Sequence, residues 1–445
     1  MIAIELSNSV VEGGFFLLKE TANAAPFAWS PDGPDTQRFV GTYRGSGAPI
    51  RDALVDMIRS AQRRVFIASF VLGDEQIIEA LIAAADRLRG GVYVITALDE
   101  RSLGRGLREY EQDEQESPEE RRKNFARLTS RGIYVRGHAS CHAKFAVVDE
   151  RIGLVGSANF VTQGFTWTGE ADILLTDSAQ VQQLRHLFTE LWFSGCTWEI
   201  PPGETYLVAE RAVQEPPCRP DSPSGKPGEV LWTNGPEQMY LLKAIQDTIN
   251  AAQEELTLST YSIVRMTEKP HLILDHTHSA LQRGVKTRLF IRQRNAWPEQ
   301  MAELVALHDA GVEIVADLRN HAKVAIADSK QAVVFSANLD GDHGLDSGVE
   351  VGIRASHPGC VHDLNRYMNY VIANADTEFA RNPTIRQLNG RLAARWCSTW
   401  QWADEVSIKC QADEARQFAN AARSGPVLYE QSQGRISLYA GSLKF

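Results

Sequence analysis

A histidine can attack phosphorus or carry a proton, and a lysine beside it can neutralise the anion under attack. Such a pair stands at His142 and Lys144, within Cys141-His142-Ala143-Lys144-Phe145-Ala146-Val147-Val148-Asp149. In an extended chain alternate side chains share a face, so His142 and Lys144 point the same way, roughly 7 Å apart. Ala143, Phe145 and Val147 then face a core. Asp149-Glu150-Arg151 reads as a turn into a second apolar strand, Ile152 to Val155. That strand leads to a loop of small residues carrying Ser157 and Asn159.

The pattern occurs again. His321, Lys323, Asp328, Ser336 and Asn338 keep the same offsets, and an acid follows each copy, Glu170 and then Glu350. One H-x-K pair is common by chance; two copies agreeing along their length are not.

These residue types suit a phosphodiester, an anion that repels nucleophiles until its charge is offset. Lys144 and Lys323 supply positive charge, and Ser157, Ser336, Asn159 and Asn338 supply donors to the non-bridging oxygens. A neutral imidazole attacking phosphorus forms a phosphohistidine and splits one displacement into two easier ones. In-line geometry puts the leaving oxygen opposite, where a second, protonated histidine serves as general acid. A carboxylate on Nδ1 would fix each tautomer, a role suited to Glu170 and Glu350. No cofactor or metal is required, because the lysines and an imidazolium do the cation's work. His138, Cys141 and His142 have zinc-ligand types but no second matching pair. Asp275-His276-Thr277-His278 reads as a solvated helix face.

The sequence resembles the phospholipase D superfamily, whose signature is H-x-K-x4-D followed by G-S-x-N, present twice. The likeness runs from about residue 50 to 375, with one departure: Phe335 stands where the family's glycine precedes the serine. It implies an α/β fold of two duplicated domains, each a mostly parallel sheet flanked by helices, forming a pseudo-dimer around one shared site. It also implies structural roles for Asp149 and Asp328, and His142 as the attacking residue.

The elements that must position these groups repeat as well. An amphipathic helix through Ile50, Leu54, Met57 and Ile58 precedes a buried strand, Arg64 to Phe70; a helix from Gln76 and a strand from Gly91 follow. The second half repeats this with helix Leu241 to Ala252, strand Leu256 to Tyr261, helix Leu272 to Gln282 and strand Val285 to Ile291. Before each motif a helix opens at a proline, Pro118 or Pro298, and ends at a glycine, Gly132 or Gly311. After each motif a closing helix is expected, Gln180 to Phe193 and Cys360 to Ile372. Alternating strands and helices duplicated at domain scale imply domains over 1–199 and 230–375, joined by a proline-rich linker over 200–229. Residues 1 to about 49 read as strands and loops on the first domain, and 376–445 as a helical extension. Within that extension Trp396, Trp400 and Trp402 read as core or dimer contacts, with a membrane-interface anchor as the other reading. Asp99 to Glu116, rich in acids, reads as a solvated loop or as an acidic lid over the site.

Composition narrows the classes. With 43% hydrophobic and 23% charged residues the chain is an ordinary soluble globular type, not a disordered or fibrous one. No apolar run approaches the ~18 to 20 residues of a membrane span, and Met1-Ile2-Ala3-Ile4-Glu5 lacks a secretory signal, so a cytoplasmic protein is expected. Six cysteines without paired spacing fit reduced thiols. A net charge of −10 argues against indiscriminate adhesion to nucleic acid or anionic lipid, though Arg63, Arg64, Arg101, Arg105, Arg292 and Arg294 could line a local groove. Three readings are open: a nuclease, a phospholipid hydrolase or transferase, and a silent scaffold. Both loops read Ser-Ala-Asn, which resembles nuclease branches of the superfamily linked to bacterial helicase and defence systems. Nucleic acid is therefore the expected partner, phospholipid the alternative, with a helicase or other defence protein and a second copy of the chain as further candidates.

Overall fold

The computed structural model describes residues 2–19, 27–28, 36–45, 47–98, 118–204, 209–293, 297–341, 344–390, 406–410, 428–432 and 435–440. The acidic stretch 99–116, Arg101, Arg105, Arg294 and the three tail tryptophans lie outside the described residues.

The first half runs β1 (Gln37–Thr42), α1 (Pro49–Ser60), β2 (Val65–Ser69), α2 (Glu75–Arg87), β3 (Val92–Thr96), α3 (Pro118–Thr129) and β4 (Tyr134–Gly137). The motif follows as β5 (Phe145–Val148), β6 (Ile152–Gly156) and β7 (Glu170–Leu175), closed by α4 (Ser178–Glu190). The second half repeats it: β8 (Val230–Asn234), α5 (Tyr240–Ala251), β9 (Glu255–Thr260), α6 (Leu274–Gln282), β10 (Lys286–Arg292), α7 (Pro298–Asp309) and β11 (Glu313–Asp317). Its motif strands are β12 (Val324–Ala327), β13 (Gln331–Phe335) and β14 (Val349–Ala355), closed by α8 (Pro358–Ala373). The prolines and glycines act where the sequence puts them: Pro118 and Pro298 open α3 and α7, and Gly132 and Gly311 take left-handed φ of 75° and 105° just past their ends.

Each half contributes a nine-stranded sheet, so the duplicated α/β fold holds. The parallel share is smaller than expected. Only β2, β3 and β4, and likewise β9, β10 and β11, run parallel, through crossover helices. In the motif, tight turns join β5 to β6 and β12 to β13, and the longer loops carrying Ser157 and Ser336 lead on to β7 and β14, so all these strands add antiparallel. Those turns are left-handed at Asp149 and Glu150 (φ 54° and 59°) and at Asp328 and Ser329 (φ 51° and 55°). The motif aspartates hold them: Asp149 accepts the N–H groups of Gln62, Arg63 and Arg64 at 2.6–2.9 Å, and Asp328 those of Gln253, Glu254 and Glu255.

The two sheets share one core. Along β5, Phe145 and Val147 point into it while Ala146 and Val148 pack under α1 and α2 on the outer face. In β12, Val324 and Ile326 enter the same core and Ala325 and Ala327 face outward. Phe188 of α4 and Tyr367 of α8 flank it.

The N-terminal segment divides between the halves. β1 borders the first sheet, but Gly14–Leu18 pairs with Thr377–Arg381 at the edge of the second, where Phe16 meets Phe379 edge-on at 5.7 Å. The described tail residues are largely strands: 406–410, 428–432 and 435–440 form a small sheet with Ile2–Glu5.

Candidate active site

Two backbone bridges stitch the halves together at the motif histidines. The His142 N–H donates to Val349 O (2.9 Å), and the Val349 N–H donates to Ser140 O (3.0 Å). Its counterpart has the His321 N–H on Gly169 O (2.9 Å) and the Gly169 N–H on Arg319 O (2.8 Å). Val349 and Gly169 immediately precede the two glutamates. Each histidine therefore receives its carboxylate from the other half: His142 Nδ1 lies 2.8 Å from Glu350 Oε1, and His321 Nδ1 lies 2.6 Å from Glu170 Oε1.

Lys144 and Lys323 are fully buried. Lys144 Nζ donates to His142 O (2.7 Å), while Lys323 Nζ reaches both His321 O (3.0 Å) and the ring Nε2 (2.9 Å). Phe70 and Tyr261, from the ends of β2 and β9, stand edge-on to the two imidazoles at 5.1 and 5.2 Å. The serine hydroxyls are not turned outward. Ser157 donates to Glu170 Oε2 (2.5 Å) and accepts the Ala171 N–H, and Ser336 donates to Glu350 and accepts the Val351 N–H. Each directs its proton to the carboxylate that holds the other half's histidine. Asn159 is buried, and the buried Oδ1 of Asn338 has no hydrogen-bond partner among the described residues.

A profile of the family described as cardiolipin synthase, PLD-like domain, matches residues 54–192 and 245–372, more than half of the chain. The chain belongs to the phospholipase D superfamily. No curated protein matches it. Among solved structures it is similar to phosphatidylserine synthase from Haemophilus influenzae Rd KW20, at 13% identity and a TM-score of 0.54 over 80% of this chain and 89% of that one. Nuc from Salmonella typhimurium, a phospholipase D family member, matches at 20% identity and a TM-score of 0.30, over 37% of this chain and 99% of that one. NucT from Helicobacter pylori matches at 16% identity and 0.29, over 34% and 99%.

Within this phospholipase D-like site the halves are not electrostatically equal. Burial pushes Glu170 up to about 7, against the pull of Lys323, Ser157, Thr168 and Lys144. Glu350 is as deeply buried, but His142, Lys144 and Ser336 outweigh that and hold it below the ordinary carboxylate range. One difference lies two residues along. Asp172, fully buried, is pushed up to about 8 by desolvation and by Glu170. The corresponding position in the second copy is Gly352.

Asp172 escaped the sequence reading, and it accounts for the departure at Phe335. Its Oδ1 accepts the N–H groups of Ser157 (2.9 Å) and Ala158 (3.1 Å), so it holds the loop from inside. Asp172 is the cross-strand partner of Gly156, and a Cβ on Gly156 would lie 2.1 Å from that Oδ1. In the second copy the equivalent cross-strand pair is Phe335 and Gly352. Bulk sits on one strand in the first copy and on its neighbour in the second. The visible signal was Glu170-Ala171-Asp172 against Glu350-Val351-Gly352.

Of the basic groove candidates, Arg292 lies at the site end of β10, its guanidinium 5.1 Å from the Tyr261 ring. Arg63 and Arg64 lie at the opposite end of β2, against Asp149, and do not line the site. Among the described residues no three His, Cys, Asp or Glu side chains cluster as a metal would need. His276 of α6 meets Asn250 at 3.0 Å. No described helix is long and apolar enough to cross a membrane.

Proposed function

We propose that the chain is a metal-independent phosphodiesterase cleaving nucleic acid through a covalent phosphohistidine. The reading is carried by the crossed pairs, His142 with Glu350 and His321 with Glu170, each joined across the interface. Neither half alone holds a complete histidine–carboxylate unit, which supports both acting on one phosphate.

In this reading Glu350, held as a carboxylate, keeps the Nδ1 proton of His142 in place, so Nε2 carries the attacking lone pair. Nε2 bonds to phosphorus, the bond to the leaving oxygen breaks, and that oxygen takes a proton from His321. Glu170 at about 7 makes the His321 pair a group that holds a proton near neutral pH, which a general acid requires. Water then attacks phosphorus, His321 takes its proton, and the phosphorus–nitrogen bond breaks. Lys144 and Lys323 offset the charge on the non-bridging oxygens.

Nucleic acid is favoured by the two Ser-Ala-Asn loops and by Arg319, two residues before His321 and without a carboxylate partner among the described residues. Phosphatidyl transfer is the second reading, favoured by the family description and by the shared fold with a phosphatidylserine synthase. The test is incubation in excess EDTA with labelled single-stranded DNA, duplex DNA, RNA and phosphatidylglycerol vesicles, with alcohol present to capture transfer. Oligonucleotide cleavage that survives EDTA, with an acid-labile phosphoprotein trapped at low pH, is the expected result. Turnover of the vesicles alone would replace nuclease with lipid enzyme, and a strict need for a divalent ion would remove the metal-independent mechanism.

A further inference from the structure

The bridge that holds His321 carries a feature its twin lacks. Trp167, just past the short helical turn Thr162–Thr166, is 52% exposed, and the Arg319 guanidinium carbon lies 3.6 Å from its ring centroid. Trp167 belongs to the first half and Arg319 to the second. They stand two residues from Gly169 and from His321, the residues whose backbones meet in the bridge. At the other bridge Ser347 and Ser140 occupy the equivalent positions, both exposed.

Charge and geometry say what this pair can hold. No carboxylate pairs with the Arg319 guanidinium among the described residues. The nearest acid in sequence, Asp317, accepts the Arg319 backbone N–H at 2.8 Å, while its other oxygen takes Arg44 and Tyr43. Among the described residues Arg319 is therefore a cation without its own anion. A half-exposed indole beside a cation with no carboxylate partner among the described residues, two residues from His321, matches a nucleotide: base on the indole, flanking phosphate on the arginine. Among the described residues Leu318, 57% exposed, is the other large exposed apolar side chain next to this pair, and two side chains do not make a membrane-binding face.

We propose that Trp167 and Arg319 form a base-stacking platform, and that the substrate is single-stranded nucleic acid. The inference rests on the nuclease reading and narrows it. A base inside a duplex is already stacked and paired, so only an unpaired one can lie on Trp167. In-line attack by His142 sends the leaving group toward His321, so the platform receives the nucleoside on that side of the scissile phosphate.

The experiment compares kcat/KM for a single-stranded oligonucleotide with that for the same strand carrying abasic tetrahydrofuran residues. Stacking predicts that the wild-type protein prefers the base-bearing strand by about 5- to 150-fold. Trp167→Phe keeps most of that preference, whereas Trp167→Leu, apolar but without a π-face, brings the ratio toward one. Arg319→Gln lowers the slope of log affinity against log salt by about one. Circular dichroism and a melting curve on each variant identify any that fail to fold; Trp167→Phe and Arg319→Gln then carry the test. Equal ratios in wild type and Trp167→Leu would overturn the platform and leave the nuclease standing. Duplex cleaved as fast as single strand would overturn the single-strand assignment. A wild type that cleaves no oligonucleotide but turns over vesicles would remove the nuclease reading itself.

Discussion

The exchange of bulk between Gly156–Asp172 and Phe335–Gly352 makes a quantitative prediction. In Gly156→Ala the new methyl would meet Asp172 Oδ1 at 2.1 Å, its Cγ at 2.3 Å and Ala171 O at 2.5 Å. Something must move, and overpacking of this kind costs about 1–3 kcal/mol. If Asp172 yields, it also releases the N–H groups of Ser157 and Ala158, at about 1 kcal/mol each. The expected loss is about 3–5 kcal/mol. Asp172→Gly alone loses the two hydrogen bonds and adds a flexible residue to a strand, about 2–3 kcal/mol. In the double variant the clash with the carboxyl is gone and the hydrogen bonds are lost only once. Its cost should therefore fall short of the sum by about 2–5 kcal/mol, the hydrogen bonds counted twice plus the relieved clash, which is the coupling of two residues in contact. Urea midpoints followed by tryptophan fluorescence give all corners of the cycle. Additivity within about 0.5 kcal/mol would refute the account of Phe335 as a compensated departure.

Three further outcomes follow from the same geometry. Glu350→Gln and Glu170→Gln should each lower kcat on a soluble diester by about 10²–10⁴, since each frees a histidine tautomer; a loss under tenfold in both would sink the crossed pairs. Asp172→Asn should flatten the pH dependence of stability. The folded carboxyl, at about 8, keeps a proton that the unfolded chain releases near 3.9, so this group's contribution is fully present at low pH and falls by about 1.4 kcal/mol per unit until pH 8. Parallel urea-midpoint curves for wild type and variant between pH 5 and 8 would contradict that. The rate profile should be bell-shaped, with limbs belonging to the coupled site rather than to one histidine, and a monotonic rise to high pH would point to hydroxide attack instead.

What the sequence revealed was what duplication doubles. His142, Lys144, Asn159 and their second copies stood out because the offsets repeat, and Pro298 and Gly311 bounded a helix that local chemistry dictates. Pairing across the interface was hidden. Glu170 follows His142 in the same copy, yet its partner His321 is 151 residues away, and spacing carries no sign of that. The bond from Ser157 to Glu170 was hidden for a related reason: a serine beside a loop glycine suggests a donor to substrate, and nothing in the local spacing shows the buried carboxylate behind it. The strand Gly14–Leu18 could have covered either half, because an apolar strand specifies a sheet edge and not which one.

The two halves have diverged in ways that bear on how the work divides. The His142 side chain keeps 17% exposure, whereas His321 is wholly buried with Lys323 against its Nε2. Glu350 is held below the ordinary carboxylate range and Glu170 raised to about 7, and only the first copy places a second acid, Asp172, behind its loop. A perfectly symmetric dimer would give both histidines the same affinity for a proton, although one must be neutral and the other charged in the same complex. Asp172 in one copy and Gly352 in the other break that symmetry at a point no substrate touches. Single-chain duplication permits this, because each copy can then change alone.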